Sequence, residues 1–389
     1  MDLGLATCFY QSKVMMALLL LLVLLYAVVV LFYGFKFSNF KSFNKKLSRP
    51  KTFFHIIIPF RNEANHLPQL LKSLKKLHYP KDLYTIYLVD DFSDDSSKSI
   101  CQSYIDEHKL SHAKILENQN LATSPKKSAV LTALEHIKTG YVITTDADCI
   151  LPEYWLLHYN HHIQQHQKPH LIAGAVCIAT ENNFWTKFQV LDLMSLQVIG
   201  LGSFKTKNPL LCNAANLAYD VETLKHLKAF DKHQSHISGD DIFNLQIYQQ
   251  SGKNISALVH PKAMVWTKAQ PDFYSLTQQR IRWASKAKHY KNNTLIGLGL
   301  LVFLTNFLLV LSLFLALFIQ EFRIYFWSFW GIKLIADYVV LDIGRHWFKP
   351  GMCMRDYLLM LLIYPFVNLY FAILSLNGKF YWKGRNYKV

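Results

Sequence analysis

Acidic residues are scarce in this chain, and paired cysteine motifs are missing altogether. Against 42 lysines and arginines stand 26 aspartates and glutamates, leaving a net charge of +16 over 389 residues. Such a surplus of positive charge can serve a nucleic acid or a membrane surface. No helix-turn-helix, zinc-finger or aromatic-rich RNA-binding pattern accompanies it, so nucleic acid is not the expected partner. The six cysteines, Cys8, Cys101, Cys149, Cys177, Cys212 and Cys353, are scattered without a Cys-x-x-Cys pair. That argues against a zinc site or a disulfide framework and favours reduced thiols in a cytoplasmic domain. Residues 14–35 carry no charge. The apolar core exceeds the about 7–15 residues of a signal peptide, and no small-residue cleavage site follows, so the segment is read as a membrane anchor.

The positive charge is placed where a membrane would use it. Lys36, Lys41, Lys45, Lys46, Arg49 and Lys51 directly follow the anchor. The positive-inside rule makes that side cytoplasmic and the N-terminus external. Three further apolar runs, 294–319, 322–343 and 357–376, are read as spans. Lys333 and Asp337 in the second are four apart and can pair on one helix face, as a structural or a functional pair. Topology then carries a conflict. Three crossings after a cytoplasmic domain put the C-terminus outside, yet Lys379, Lys383, Arg385 and Lys388 make a basic tail of cytoplasmic character, and Arg345, Lys349 and Arg355 suit an inside loop. One segment is therefore expected to be interfacial or re-entrant.

Between anchor and spans, strands and helices alternate. The run 53–58, ending at Pro59, reads as a buried parallel strand. Residues 65–78 carry Leu67, Leu70, Leu71, Leu74 and Leu77 on one helical face. Strands at 84–89, 113–116 and 141–145 alternate with helices at 96–107 and 125–137. The expected fold class is α/β, a mostly parallel, doubly wound sheet covered by helices. Ligands of such sheets bind beyond the carboxyl ends of the strands.

Polar residues stand at those ends. Asp146 and Asp148 follow a strand, and two nearby carboxylates repel unless a hard cation such as Mg²⁺ or Mn²⁺ lies between them. Asp90, Asp91, Asp94 and Asp95 form an acidic turn, read equally as a helix cap at Asp94 or Asp95 or, at Asp91, as an acceptor for a uracil or ribose. Lys126 and Lys127 after Pro125 open a helix, as a solvated basic pair or as a place where phosphate is attracted. Gly239-Asp240-Asp241 and Gln279-Arg280-Ile281-Arg282-Trp283 complete an ordered series ending at an apolar segment. Together they suggest an enzyme using a metal-bound diphosphate donor beside a bilayer. Residues 184–204 and 274–288 are read as helices of the membrane surface or, for the former, as core. His158, His162 and His166 fall at i, i+4 and i+8 and read as a solvated helix face rather than a metal site.

The chain resembles the membrane-bound family-2 glycosyltransferases, with their GT-A (Rossmann-like, nucleotide-diphospho-sugar transferase) domain. The matching residues are 56–63, 89–95, 126–130, Asp146-Ala147-Asp148, Asn213-Ala214-Ala215-Asn216, Gly239-Asp240-Asp241 and the Gln279-x-x-Arg282-Trp283 signature. Gly-Asp-Asp stands where Thr-Glu-Asp is commoner. The resemblance implies roles. Pro59, Glu63, Asp91, Lys126, Asp146 and Arg282 would bind the donor, with Glu63 and Asp91 at the base and ribose. Asp146 and Asp148 would hold a divalent metal, Mg²⁺ or Mn²⁺. Asp241 would be the general base, with Asp240 the alternative for that role. Asp240, Gln279 and Trp283 would face the acceptor.

The expectation is an inverting transferase moving a sugar from a nucleotide-diphospho-sugar, a UDP-sugar, to a membrane lipid or lipid-linked acceptor hydroxyl. A processive polysaccharide synthase is the alternative, followed by a non-enzymatic membrane scaffold. The expected organisation is an anchor (1–35), a basic linker (36–52), the catalytic domain (53–290), a C-terminal membrane region (291–376) and a basic tail (377–389). The setting would be a multi-pass protein of the plasma or inner membrane with its catalytic domain in the cytoplasm.

Overall fold

The computed structural model describes residues 2–41, 46–179, 181, 183–233, 238–348, 351–376, 378–383 and 385–388. Lys45 and Lys349, counted above among the basic clusters, lie outside them. Strand β1 (Phe54–Phe60) is buried at all seven positions, as a strand covered on both faces should be. It lies between β2 (Tyr84–Asp90) and β4 (Tyr141–Thr144), parallel to both, with Phe54 level with Tyr84 and Tyr141. With β3 (Ala113–Glu117), β5 (Leu171–Gly174), β7 (Leu217–Asp220) and β8 (Ile255–Leu258) they form a seven-stranded sheet in the order β3-β2-β1-β4-β7-β5-β8. Only β7 runs against its neighbours β4 and β5. A small parallel pair, β6 (Val176–Ile178) and β9 (Val265–Thr267), lies beside it. The carboxyl ends of β1, β2 and β4 therefore open on one edge.

Helices α2 (Leu67–Lys75), α3 (Ser97–His108), α4 (Pro125–Leu134) and α5 (Trp155–Gln165) connect these strands. In α2 the leucines at 67, 70, 71 and 74 are buried, the i, i+3, i+4 and i+7 stripe read from the sequence. Beyond them come α6 (Phe184–Ser203), α7 (Val221–Leu227), α8 (Asp240–Gln250) and α9 (Phe273–Ser285).

The long apolar helices are α1 (Asp2–Ser38), α10 (Asn293–Phe318), α11 (Phe322–Phe348) and α12 (Met354–Ser375). Among the described residues these four are long and apolar enough to cross a membrane. They are bound to the α/β body through α6, which is buried along most of its length. At Gly202 of α6 an added Cβ would stand 2.3 Å from the Tyr33 carbonyl oxygen of α1, so only glycine permits this crossing. Gly344 of α11 similarly meets Met194 and Val198 of α6. Lys333 is buried and paired with Asp337, which also accepts a 2.6 Å hydrogen bond from the Tyr26 hydroxyl, so the expected i, i+4 pair forms.

The end of the chain packs back on the α/β body. Asp356 near the start of α12 lies 3.1 Å from Lys187 of α6, and Phe371 near its end stacks on Phe273 of α9. Between them Trp330 of α11 meets Phe366, one residue past Pro365 inside the helix. Both ends of α12 thus rest on helices of the α/β body. The residues beyond it form a hairpin, β10 (Lys379–Trp382) and β11 (Arg385–Lys388), against that body. Where the sequence suggests a tail, the structure has two paired strands on the same side as the sheet's carboxyl edge.

Candidate active site

A cleft of about 910 Å³ opens at that edge. All eleven residues singled out from the sequence line it. Pro59, Glu63 and Asp91 come from the ends of β1 and β2, and Lys126 from the first turn of α4. Asp146 and Asp148 follow β4, Asp240 and Asp241 open α8, and Gln279, Arg282 and Trp283 lie on α9.

At one end, the acidic turn after β2 divides its work. Asp90 accepts from the Ser93 backbone N–H (3.1 Å) and hydroxyl (2.6 Å), and Asp95 accepts from the Ser97 N–H (2.9 Å) at the start of α3. The first is a turn bond within the loop, and the second ties Asp95 to the first residue of α3. Asp91 instead faces the cleft, where it accepts from Asn118 Nδ2 (2.6 Å) and Arg385 (3.0 Å). Asp91 is thus set apart from Asp90 and Asp95, which bond within the loop. Arg61 ties the loops after β1 and β2 together by donating to the carbonyls of Asp91 (2.8 Å) and Phe92 (2.7 Å). Glu63 is buried between His66 (2.6 Å) and Lys383 (2.5 Å).

In the middle, Asp146 is paired with Lys126. Burial alone would lower the Lys126 ammonium, but Asp146 and Asp240 outweigh it and hold it above its ordinary value. Asp148 accepts from the Thr267 hydroxyl (3.2 Å). Burial first, then the charges of Asp146 and Glu63, push its carboxyl above the usual carboxylate range. A hard dication answers this arrangement, because it supplies the charge that two crowded carboxylates lack. Among the described residues no three His, Cys, Asp or Glu side chains converge to cage a metal. The pair suits an ion whose remaining ligands are substrate phosphates and water, as Mg²⁺ commonly is.

At the other end, Gly239 turns the chain into α8 with φ +100°, and a Cβ there would meet Phe243 at 2.8 Å. Asp240 is buried. Its burial opposes charge, but Lys126, Lys127 and Lys286 prevail and hold its carboxyl low. Asp241 is less enclosed, and its closest cation is Lys286 at 3.7 Å. Burial pulls the Arg282 guanidinium down, against the opposing pull of Asp146, Asp240, Asp241 and Asp148. Trp283 takes the Arg280 guanidinium over its ring at 4.2 Å, and Arg280 is paired with Asp192 of α6. The tryptophan wall is thus fixed from the helix that carries the apolar side of the cleft.

Two expectations change. His158 and His162 are buried, not solvated. His158 stacks on His260 at 3.8 Å, and His162 lies 2.8 Å from the Ser256 hydroxyl. The reason is that α5 packs this face on the β8 side of the sheet, where uncharged imidazoles substitute for apolar rings. Within Asn213-Ala214-Ala215-Asn216, the first three residues line the cleft, whereas Asn216 faces inward. It accepts from Trp155 Nε1 (2.9 Å) and the Tyr159 hydroxyl (2.8 Å), and donates to the Ala175 and Ala263 carbonyls. Sequence reading also missed Lys286, Arg61, Lys383 and Arg385. Lys286 stands four residues after Arg282, on the same helical side, which was a usable signal. The alternation Tyr381, Lys383, Arg385, Tyr387 has the period of a strand, but its charge made it read as a tail.

The fold is of GT-A type, with the candidate site at the carboxyl edge of its sheet. The profile of glycosyl transferase family 2 matches residues 55–221, and that of glycosyl transferase family group 2 matches residues 141–374, more than half of the chain. The chain belongs to glycosyl transferase family group 2. It is 27% identical over 166 residues to a beta-monoglucosyldiacylglycerol synthase of Nostoc sp., a match covering 42% of this chain and 35% of that protein. It is 32% identical over 97 residues to an undecaprenyl-phosphate 4-deoxy-4-formamido-L-arabinose transferase of Shewanella sediminis, covering 25% and 28%. The matches thus span about a third of these curated relatives. The mannosyltransferase PcManGT from Pyrobaculum calidifontis, solved with GDP-Man and Mn²⁺, shares the fold. Its TM-score is 0.53 at 15% identity, over 93% of this chain and 94% of that one.

Proposed function

We propose that the protein is an inverting, membrane-bound glycosyltransferase that moves a sugar from a UDP-sugar to the hydroxyl of a membrane lipid or lipid-linked acceptor. One observation carries this reading. The carboxylates of Asp146, Asp148, Asp240 and Asp241 share a cleft with Arg282 and with Leu193, Leu196 and Leu201 of α6. A charged donor and an apolar acceptor have adjoining walls there, and α6 is the helix packed against α1 and α11. The similarity to a glucosyldiacylglycerol synthase and to an undecaprenyl-phosphate transferase supports an acceptor of that kind.

In this reading Glu63 and Asp91 hold the base and ribose of the donor. Asp146 and Asp148 hold the divalent ion, which when bound neutralises charge on the diphosphate. Asp241 takes the proton of the acceptor hydroxyl, the contribution of a positioned base being about 10²–10⁴-fold. The acceptor oxygen bonds to the anomeric carbon from the face opposite the leaving group, and the carbon–oxygen bond to the diphosphate breaks with its electron pair. Arg282 stabilises the charge that gathers on the departing phosphate. No enzyme nucleophile is needed, so the anomeric centre inverts. Trp283 and Gln279 shape the acceptor side. The setting is a plasma or inner membrane with the α/β domain in the cytoplasm, spanned by α1, α10 and α11, with α12 lying re-entrant beneath α6 and α9.

The test is transfer by detergent-purified protein. UDP-, GDP- and dTDP-sugars are supplied with Mn²⁺ or Mg²⁺ and a membrane-lipid extract, with EDTA as control. One metal-dependent glycolipid from one donor is expected. A ladder of long glycan products would instead make the protein a polymer synthase.

A further inference from the structure

The hairpin of β10 and β11 crosses the mouth of the cleft. On one side the Tyr381 N–H donates to Gln278 Oε1 of α9 (2.8 Å). On the other, Lys383 reaches Glu63 after β1 and Arg385 reaches Asp91 after β2. Glu63 and Asp91 are 8% and 5% exposed. Two buried carboxylates at the end of the cleft thus take cations from a segment about 300 residues away in sequence. A buried carboxylate needs such a partner, so the contacts are not casual surface pairs.

The charge balance of the cleft rests on this hairpin. Seven carboxylates and seven lysine or arginine side chains line it, and two of the seven cations are Lys383 and Arg385. Lys383 also bears electrostatically on Asp148. A nucleoside diphosphate is an anion entering a space already holding seven acids. It needs cations that can be released from those acids and turned to phosphate. Hydroxyls and base N–H groups of a nucleoside can satisfy Glu63 and Asp91 in their place. A two-stranded hairpin is marginal by itself, so its position rests on these contacts and on the packing of β10, with buried Phe380, against α9.

We propose that the hairpin is a donor-binding strap, in which Lys383 and Arg385 pass from Glu63 and Asp91 to the diphosphate of the nucleotide-sugar. This rests on reading the cleft as a nucleotide-sugar site. It adds a binding element that lies outside the residues 55–221 and 141–374 matched by the two family profiles.

The experiment is calorimetric titration of the full chain in detergent with UDP and with GDP, each with Mn²⁺, for the wild type, Lys383→Ala/Arg385→Ala and Lys383→Arg/Arg385→Lys. The double alanine variant should bind the preferred nucleotide about tenfold more weakly or worse, the size of one lost charged contact. The charge-conserving variant should regain most of that loss. In transfer assays the donor KM should rise more than kcat falls. If the double alanine variant does not fold, the single variants Lys383→Gln and Arg385→Gln should each weaken binding. Wild-type affinity in these variants would overturn the strap while leaving the nucleotide site standing. Tighter binding would also overturn it and make the hairpin a block. Absence of nucleotide binding in the wild type itself would overturn the site and the strap together.

Discussion

At the scale of residues, the two neighbouring carboxylates of α8 are separable by what surrounds them. Asp240 is buried among Lys126, Lys127 and Lys286, which hold it charged and make it a poor acceptor of protons. Asp241 is less enclosed and faces the cleft. Asp241→Asn should therefore reduce transfer by about 10²–10⁴-fold while UDP binding stays within a factor of a few. Retained turnover would remove it from the base role. Asp240→Asn should behave differently, lowering the melting temperature, because it leaves buried lysines uncompensated. The candidate residues were legible in the sequence because a strand that ends in acid, or a glycine followed by two aspartates, is a local pattern. The partners Asn118, Lys286 and Arg385 were not, because pairing across 27, 45 or 294 positions leaves no local trace.

At the scale of elements, the parallel strands β1, β2 and β4 were legible as continuous apolar runs, since both of their faces are covered. Helix α5 was misread because histidines count as polar in any periodicity. Their burial has a measurable consequence. Burial first, then neighbouring imidazoles, pulls His158 and His162 from 6.5 down to about 3. The unfolded chain then binds more protons than the folded one between those values, so stability should fall as pH drops below about 6.5. The melting temperature in detergent should be lower at pH 5 than at pH 7.5, and His158→Gln should flatten that slope. An unchanged slope in the variant would place the titration elsewhere. The α6–α1 crossing makes a second prediction. Gly202→Val must push the helices apart, since even a methyl would overlap the Tyr33 carbonyl. A loss of about 1–3 kcal/mol is expected from such overpacking, read as a lower melting temperature.

At the scale of the whole molecule, hydropathy located the four apolar helices, though α1 begins twelve residues before the run read at 14–35, and it did not reveal what the last one packs against. Length and composition say that a helix can cross a bilayer, whereas side-chain contacts at both ends say what it packs against. Lys187–Asp356 and Phe273–Phe371 bring α12 back to the α/β body, and the hairpin follows it to the cleft. Chelation tests the other whole-molecule feature. EDTA should abolish transfer and lower UDP affinity, both restored by Mn²⁺ or Mg²⁺, and full activity after exhaustive chelation would leave Asp146 and Asp148 without that role. The position of the hairpin in the chain also bears on how the enzyme is made. Its strands begin 94 residues after α9 ends and after every apolar helix. At translation speeds of about 5–20 residues per second, that interval lasts roughly 5–20 s. During it the sheet, both aspartate pairs and the arginine helix already exist, while two cations of the site have not yet been synthesised. The cleft of a nascent chain is therefore excessively acidic until α10, α11 and α12 have all emerged, so synthesis itself places three apolar helices ahead of a complete cleft.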